Sequence, residues 1–478
     1  MTGTGTARDR TGGAAPLTAS AVAAMAGGRL ARGAADRVVA GFSTDSRAVA
    51  PGSLFIALRG ERFDAHAFVS AAIAAGAAGA LVSDEASVSA AGDPLVIVVE
   101  DTLLGLQRLA RAVRRDSGTT VVAVTGSAGK TTTKEVAAAL LSTRFTTLRS
   151  SGNLNNHVGL PLSLLALASR PEVAVVELGM NHAGEIATLV RIAEPEVRVW
   201  TNVAPVHVGY FPSVEAIADA KAEIFEGARE SDLLVANADD PLVMARAPRF
   251  NGRLATFGIE AHDATIQGTD VKVLGLDGTE VTLVTPTGPA RVRVPLIGLG
   301  NLANVLAAVT VAAAFEVPIV SMVPVIEALV PVAQRGRVDR LAGGVTLVDD
   351  SYNANPSALE QVLAVVAAES RCGRKIAVLG EMLELGDESA ALHALSGRAA
   401  ARSGIGWLIT IGGEAARTMG AAAVAAGIPS GRVWHAPTSD EAAERVAAIV
   451  RPGDLVLVKG SRGVRTERVA ERIRAEFS

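Results

Sequence analysis

Cysteine is nearly absent. A single residue, Cys372, occurs in 478, which excludes an intrachain disulfide framework and any zinc site built on several thiolates. The seven histidines are scattered, with no pair at metal-ligand spacing on one helix. Aromatic residues make up only 3%, too few for the stacking platforms that bind single-stranded nucleic acid. An excess of positive charge is missing too. The 45 basic residues against 49 acidic ones leave a net charge of −4, which argues against a general nucleic-acid or anionic-membrane binder. Long apolar runs are also lacking. The longest uncharged stretch, Ala65–Ser83, is mostly alanine and glycine, holds His66 and is interrupted at Gly76 and Gly79. It reads as a short helix, a turn and a strand over Gly79–Val82, well short of the ~20 apolar residues of a membrane span. Arg8 and Arg10 precede a short apolar stretch that Gly27-Gly28 ends as a helix stop would, so no leader is expected there. The expected setting is reducing and cytoplasmic.

What is present points to a large soluble α/β protein. Hydrophobic residues reach 49%, enough for substantial cores, and the length divided by ~150 residues per domain suggests about three domains. The first twenty residues read as a frayed tail. A helix, a turn-rich stretch over Gly41–Gly60 and further helix and strand patterns follow, up to a linker at Asp116-Ser117-Gly118. The apolar runs Thr120–Val124, Val173–Leu178, Arg198–Thr201 and Leu233–Ala236 alternate with helical patterns, the signature of a mainly parallel sheet. Between Thr265 and Pro295 polar and apolar residues alternate around Gly-Thr and Pro-Thr-Gly turns, as in an antiparallel meander, and a helix is expected at Asn304–Phe315. Beyond Val332, strands at Val345–Val348, Ile376–Leu379, Trp407–Ile411 and Leu455–Val458 form a second α/β unit, with polar residues at their carboxyl ends where ligands gather in such sheets.

The strongest chemical signal is Val122–Thr133, in which a strand runs into Thr125-Gly126-Ser127-Ala128-Gly129 and opens a helix at Lys130-Thr131-Thr132. Amide groups of such a loop cradle phosphates, Lys130 can reach the outer phosphoryl oxygens and Thr131 can hold Mg2+. The loop is a shortened variant, its early glycine at 126. Glu177 ends a buried strand, where a carboxylate can bind Mg2+ beside phosphates or simply face solvent. His207 follows another strand and fits a metal ligand or a structural loop histidine. Lys221 lies two turns into a helix capped by Ser213; a lysine facing a metal centre is costly unless neutralised or modified, and a solvated helix lysine is the simpler alternative. Only six basic residues are lysines, at 130, 134, 221, 272, 375 and 459, so a lysine can mark a place where arginine will not serve.

Together with Asn153-x-Asn155-Asn156-x-x-Gly159-x-Pro161 and Ala220-Lys221-x-Glu223-Ile224-Phe225, these segments resemble the Mur ligases, ATP-dependent amide-forming enzymes of peptidoglycan synthesis. Ser43–Arg47, Pro51–Phe55, Asp349–Pro356, Leu379–Gly386 and Lys459–Arg462 are similar to the branch that adds D-alanyl-D-alanine. The resemblance implies three domains: 1–118 for the UDP-MurNAc peptide, a P-loop-type central domain over 119–332, and a Rossmann-like domain over 333–478. It places Thr44, Ser46 and Arg47 near the UDP-sugar, with Asn155, Asn156, Asn353 and Asn355 among the substrate contacts. Thr125–Thr132, Asn304, Arg337 and Asp350 would contact ATP, and Thr131, Glu177, His207 and Lys221 the Mg2+ ions, Lys221 as a carbamylated lysine. The substrates implied are UDP-MurNAc-tripeptide and D-Ala-D-Ala, with no nucleic-acid or membrane partner. Two departures stand out. Gly300-Asn301 lacks the family's histidine, and Asp64-Ala65-His66 stands where Asp-Gly-His is usual. The preceding diamino-acid-adding ligase and a non-catalytic ATP-binding module are the alternatives.

Overall fold

A computed structural model of the chain describes residues 17–60, 63–89, 92–205 and 209–478. His207 and most of the expected N-terminal tail lie outside the described residues. Contact density separates two compact bodies. One comprises the described residues up to Val122 with Phe145–Leu178 and Thr188–Pro195; the other comprises Ala123–Arg144, Gly179–Ala187 and Glu196–Ser478.

In the first body β1 (Arg29–Arg32), β2 (Phe42–Ser43), β3 (Leu54–Ile56), β4 (Gly79–Val82) and β5 (Leu95–Val98) form a sheet of order β1-β5-β4-β3-β2. Only β1 runs antiparallel to its neighbour. The turn-rich stretch Gly41–Gly60 thus contributes two short strands, because Leu54, Phe55 and Ile56 are buried in the core. The helix Thr102–Ser117 starts where the Asp101 carboxylate accepts the Leu103 and Leu104 amides, at 2.8 and 2.9 Å, and stops at left-handed Gly118. The chain continues through β6 (Thr120–Thr125) and later returns to this body as the parallel pair β7 (Thr147–Arg149) and β8 (Val173–Glu177), with every residue of β8 buried.

In the second body β9 (Val197–Trp200), β10 (Leu233–Asn237), β11 (Arg253–Gly258) and β12 (Ile266–Val273) run parallel, and β13 (Thr279–Thr285) and β14 (Gly288–Val294) complete the expected antiparallel meander. The helix expected at Asn304 begins five residues earlier and spans Leu299–Ala314. Polar Gly300-Asn301 reads as loop, yet Asn301 turns its amide back to the Ile297 carbonyl at 2.9 Å, within the first turn.

A second sheet in this body has the order β15-β16-β20-β17-β18-β19, built from β15 (Arg337–Arg340), β16 (Thr346–Asp350), β17 (Lys375–Gly380), β18 (Trp407–Ile411), β19 (Val433–Ala436) and β20 (Leu455–Lys459). All neighbours are parallel except β15 with β16. The alternation of a strand sends Ala377 and Leu379 into one core, with helices Pro356–Ala368 and Glu414–Ala425. Ile376 and Val378 enter the other, with helices Ser439–Ile449 and Glu467–Glu476. This is the doubly wound α/β arrangement expected of the C-terminal segment, and it lines up the carboxyl ends of β16, β20 and β17, carrying Asp350, Lys459 and Gly380.

β9 delivers Thr201 and Asn202 to the candidate site and is anchored by a buried ion pair. Arg198 and Asp232 meet at 2.8 Å, each side chain about as buried as a core leucine at 2% exposure, and Arg198 Nε also donates to the Ile224 carbonyl. Removing one partner strands a buried charge. Asp232→Ala is expected to lower stability by about 3–5 kcal/mol, measured as a shifted denaturant midpoint; an unchanged midpoint would mean that β9 is held by apolar packing alone.

Candidate active site

The loop after β6 has a shape that only glycine allows at two points. Gly126 has φ +149 and Gly129 φ +83. A Cβ at Gly126 would fall 1.9 Å from Thr201 Oγ1, and one at Gly129 2.0 Å from Asn304 Oδ1. Both are closer than atoms approach without displacement, so backbone freedom and lack of bulk are required together. Asn304 is buried in the helix Leu299–Ala314 and accepts a hydrogen bond from Thr133 Oγ1 at 3.3 Å. On the other side the Ser127 amide donates to the Asn202 carbonyl at 3.0 Å and the Ala128 amide to Asn202 Oδ1 at 2.8 Å. Thr201 Oγ1 donates to the Ala128 carbonyl at 2.7 Å.

Asn202 therefore takes two of the loop amides, and the first-turn amides of the helix Lys130–Leu141 are the ones that no helical carbonyl can satisfy. Lys130 folds over the loop, its Nζ donating to the Gly126 carbonyl at 2.8 Å. Thr125 and Thr131 are buried and Thr132 is half-buried. Together these groups form a pocket-sized concentration of N–H dipoles and one ammonium, suited to an anion of several oxygens.

Lys221 sits on the helix Val214–Ala222, whose N-cap is the Ser213 hydroxyl, and is only 2% exposed. Burial, reinforced by the positive charge of Lys130, pushes its amine well below the ordinary lysine range. It is therefore predisposed to be neutral and nucleophilic, or to be modified. In the first body, Glu177 is 2% exposed at the end of β8 and accepts a hydrogen bond from Asn155 Nδ2 at 2.8 Å. Neighbouring Asn156 is committed locally, its Oδ1 accepting the Gly159 amide at 2.8 Å at the start of the helix Gly159–Leu165.

One residue that sequence reasoning left out stands at the loop. Arg335 Nη2 donates to Thr131 Oγ1 at 3.0 Å, and its guanidinium lies over the Tyr352 ring at 3.9 Å from the centroid. Arg337, expected at a phosphate, is exposed and pairs with Asp339 at 2.7 Å. No motif marked Arg335; its signal is only an Arg-Gly-Arg turn in which either arginine can point inward. Asp350 is held by buried Lys459 at 2.5 Å, and Lys459 also donates to the Asn353 carbonyl at 3.1 Å. Asn355 caps the helix Pro356–Ala368 through the Ala358 amide. Near the N-terminus, Thr44 and Ser46 are half-buried in a turn, and Arg47 grips Asp45 and holds its carboxyl down to about 2. Among the described residues no three His, Cys, Asp or Glu side chains converge as a metal cage.

A glycine loop opening a helix, clamped by Asn202 and Asn304 and followed by a doubly wound α/β unit, defines a phosphate-binding α/β protein of modular build. Family profiles agree in detail: "Mur ligase family, catalytic domain" matches residues 38–139, "Mur ligase middle domain" residues 124–312, and "Mur ligase, glutamate ligase domain" residues 336–462. The chain belongs to the Mur ligase family. It is 33% identical over 463 residues to UDP-N-acetylmuramoyl-tripeptide–D-alanyl-D-alanine ligase of Bacillus subtilis, covering 95% of this chain and 97% of the relative. MurF of Acinetobacter baumannii superposes with a TM-score of 0.84 at 30% identity, covering 97% of this chain and all of that one. MurF ligase of Thermotoga maritima, solved in complex with ADP, superposes at 0.78 with 30% identity over 91% of this chain and 97% of that one.

The glycine clamp generates a direct test. Gly129→Ala must displace Asn304 and adopt a left-handed backbone costing about 1–2 kcal/mol. It is expected to weaken ADP binding at least about tenfold with a modest loss of stability, read by calorimetry and a denaturant melt. Unaltered ADP affinity would remove the loop from the nucleotide site.

Proposed function

We propose that this chain is an ATP-dependent ligase that joins D-alanyl-D-alanine to UDP-MurNAc-tripeptide in cytoplasmic peptidoglycan precursor synthesis. The observation that carries this reading is the clamped glycine loop with Lys130 and Thr131, in a chain whose similarity to ligases of that name runs along nearly its whole length. Residues 1–118 would take the UDP-sugar through Thr44, Ser46 and Arg47. Residues 119–332 would take ATP through the loop and Asn304, and residues 333–478 would contribute Arg337, Asp350, Asn353 and Asn355. Among the described residues no helix is long and apolar enough to cross a membrane.

The chemistry follows from the thermodynamics of amide formation in water, which needs an activated carboxyl. The tripeptide carboxylate attacks the terminal phosphorus of ATP; an acyl phosphate forms and ADP leaves. The dipeptide amine then attacks the carbonyl carbon and phosphate departs. In the first step charge must be neutralised and the reactants aligned. Lys130 and the first-turn amides supply fixed positive charge on the phosphate side. Mg2+, for which the family resemblance offers Thr131, Glu177 and His207 as ligands, would neutralise the phosphoryl oxygens. Asn155 orients the Glu177 carboxylate for that role.

Lys221 is the residue whose role here is most readily tested. Burial pushes its amine well below the ordinary lysine range, and a neutral amine takes up CO2 with loss of a proton, becoming a carbamate anion that removes the unfavourable buried cation. Lys221→Ala is expected to abolish turnover, with partial rescue by short carboxylic acids; full activity in the variant would end the assignment.

The reading as a whole is tested by ADP release with ATP, Mg2+ and UDP-MurNAc-tripeptide, with and without D-Ala-D-Ala, followed by product mass. Dipeptide-dependent release and a product heavier by the added dipeptide are expected. Turnover instead with UDP-MurNAc-dipeptide and a diamino acid would move the enzyme one step earlier, and silence with both would leave a nucleotide-binding module.

A further inference from the structure

The segment Leu379–Gly386 stands out in the sequence, but the groups gathered at the phosphate loop come from elsewhere. It leaves β17 at Gly380 as a loop with two left-handed residues, Glu384 at φ +64 and Gly386 at φ +54. A left-handed glutamate is unfavourable and persists only where its surroundings over-determine it. Three successive amides show how. Glu381 donates to the Ile411 carbonyl on β18 at 2.8 Å, Met382 to His393 Nε2 at 2.9 Å, and Leu383 to Ser461 Oγ at 2.9 Å. The Met382 and Leu385 side chains are buried beneath the loop.

His393 is the unusual member of this set. It lies on the helix Ser389–Arg402 with no exposed surface. Its Nδ1 is 2.7 Å from the Ser389 carbonyl oxygen, which can only accept, so Nδ1 carries the proton. Nε2 faces the Met382 amide, which can only donate, so Nε2 is bare. Both nitrogens are committed, and the ring is held as one neutral tautomer. Burial supports that state by pushing the ring below the ordinary histidine range, against weaker pulls from the Ser389 carbonyl and the Glu381 carboxylate. The Ser389 bond is local to the helix; the Met382 bond crosses to the loop.

On its far side the loop meets the segment that joins two parts of the candidate site. The Gly209 amide donates to the Glu384 carbonyl at 3.3 Å, and a Cβ on Gly386 would fall 2.8 Å from Gly209 Cα. Gly209 lies between Asn202, which clamps the phosphate loop, and the Ser213 cap of the helix bearing Lys221. A seat of backbone on backbone tolerates little displacement, so it depends on the shape of the loop.

We propose that His393 is a positioning residue for the amide-forming step: through the Met382 amide it keeps the loop Glu381–Gly386 seated on Gly209, which shields the activated carboxyl group from water while the dipeptide amine attacks. The role rests on the ligase reading above. With the loop released, water takes the place of the amine at the carbonyl carbon. Phosphate leaves as before, the tripeptide carboxylate is regenerated, the protons of water pass to phosphate and solvent, and ATP is hydrolysed with no amide formed.

The quantity to measure is dipeptide product formed per ADP released, with the full chain, ATP, Mg2+, UDP-MurNAc-tripeptide and D-Ala-D-Ala, alongside ADP affinity by calorimetry. Two amide side chains divide the bonds of the histidine. Glutamine puts an acceptor oxygen where Nε2 stands, and asparagine puts a donor nitrogen near Nδ1. Loss of a buried hydrogen bond shifts the loop about 10- to 100-fold toward the released state, so His393→Asn is expected to lower product per ADP at least about threefold. His393→Gln is expected to keep most of the ratio, and both variants should bind ADP within about twofold of the parent. Gly386→Ala, at an exposed position of the loop, leaves the histidine bond in place but pushes the seat apart, and it should lower the same ratio. Equal loss in His393→Gln and His393→Asn would mean that His393 only packs its helix and would overturn the proposal. So would an unchanged ratio in His393→Asn or Gly386→Ala, whatever the total turnover. If His393→Asn melts early, His393→Gln and Gly386→Ala decide the matter in the same way. A parent chain with no dipeptide-dependent ADP release would overturn the ligase reading itself, and this role with it.

Discussion

Two glycines pressed against side chains from remote segments hold the site together. Gly126 against Thr201 and Gly129 against Asn304 leave no room for a Cβ, so the loop's course depends on the strand β9 behind one contact and the helix Leu299–Ala314 behind the other. Close packing turns these approaches into rigidity: the loop cannot relax outward without opening the buried hydrogen bonds of Asn202 and Asn304. The buried Arg198–Asp232 pair belongs to the same construction, because it fixes the strand that carries Thr201 and Asn202.

The distribution of cations follows from this packing. Lys134, Lys221 and Lys459 are 0%, 2% and 3% exposed, while arginine supplies most of the surface charge in a chain with only six lysines. A compact ammonium can be buried beside one carboxylate, as Lys459 is against Asp350, or can give up its proton, as the setting of Lys221 favours. A guanidinium can also be buried beside a carboxylate, as Arg198 is against Asp232, but it does not give up its proton; it can stack instead, and Arg335 on Tyr352 shows that use. The lysine bias visible in the sequence thus has a physical basis in burial.

Much of the architecture was legible beforehand. The strands of the C-terminal sheet announced themselves as fully apolar runs, because a parallel sheet buried on both faces has no polar side, and the meander over Ile266–Val294 showed the alternation of a sheet with one wet face. The expected helix start at Asn304 was late, since asparagines that cap and pack within a first turn look like loop residues. Strands β2, β7 and β15 were not anticipated, being too short or too polar for periodicity to reveal.

The site divides along a similar line. The loop glycines, Lys130 and Thr131 were readable because their order along the chain is itself the chemistry: glycine where the backbone must turn left-handed, then lysine and threonine at a helix start. Pairing between segments far apart was not readable. Arg337 turns to Asp339 and Arg335 to Thr131, although a single residue, Gly336, separates them in a turn with equal claims to either direction. Sequence alone determined the α/β class, the family and the glycine loop that opens a helix, because these depend on local conformation and periodic burial. Only the tertiary structure decided which arginine faces the loop, that Asn202 occupies two of its amides, and that Lys221 is buried within reach of the charge of Lys130, because each follows from which distant side chains packing brings together.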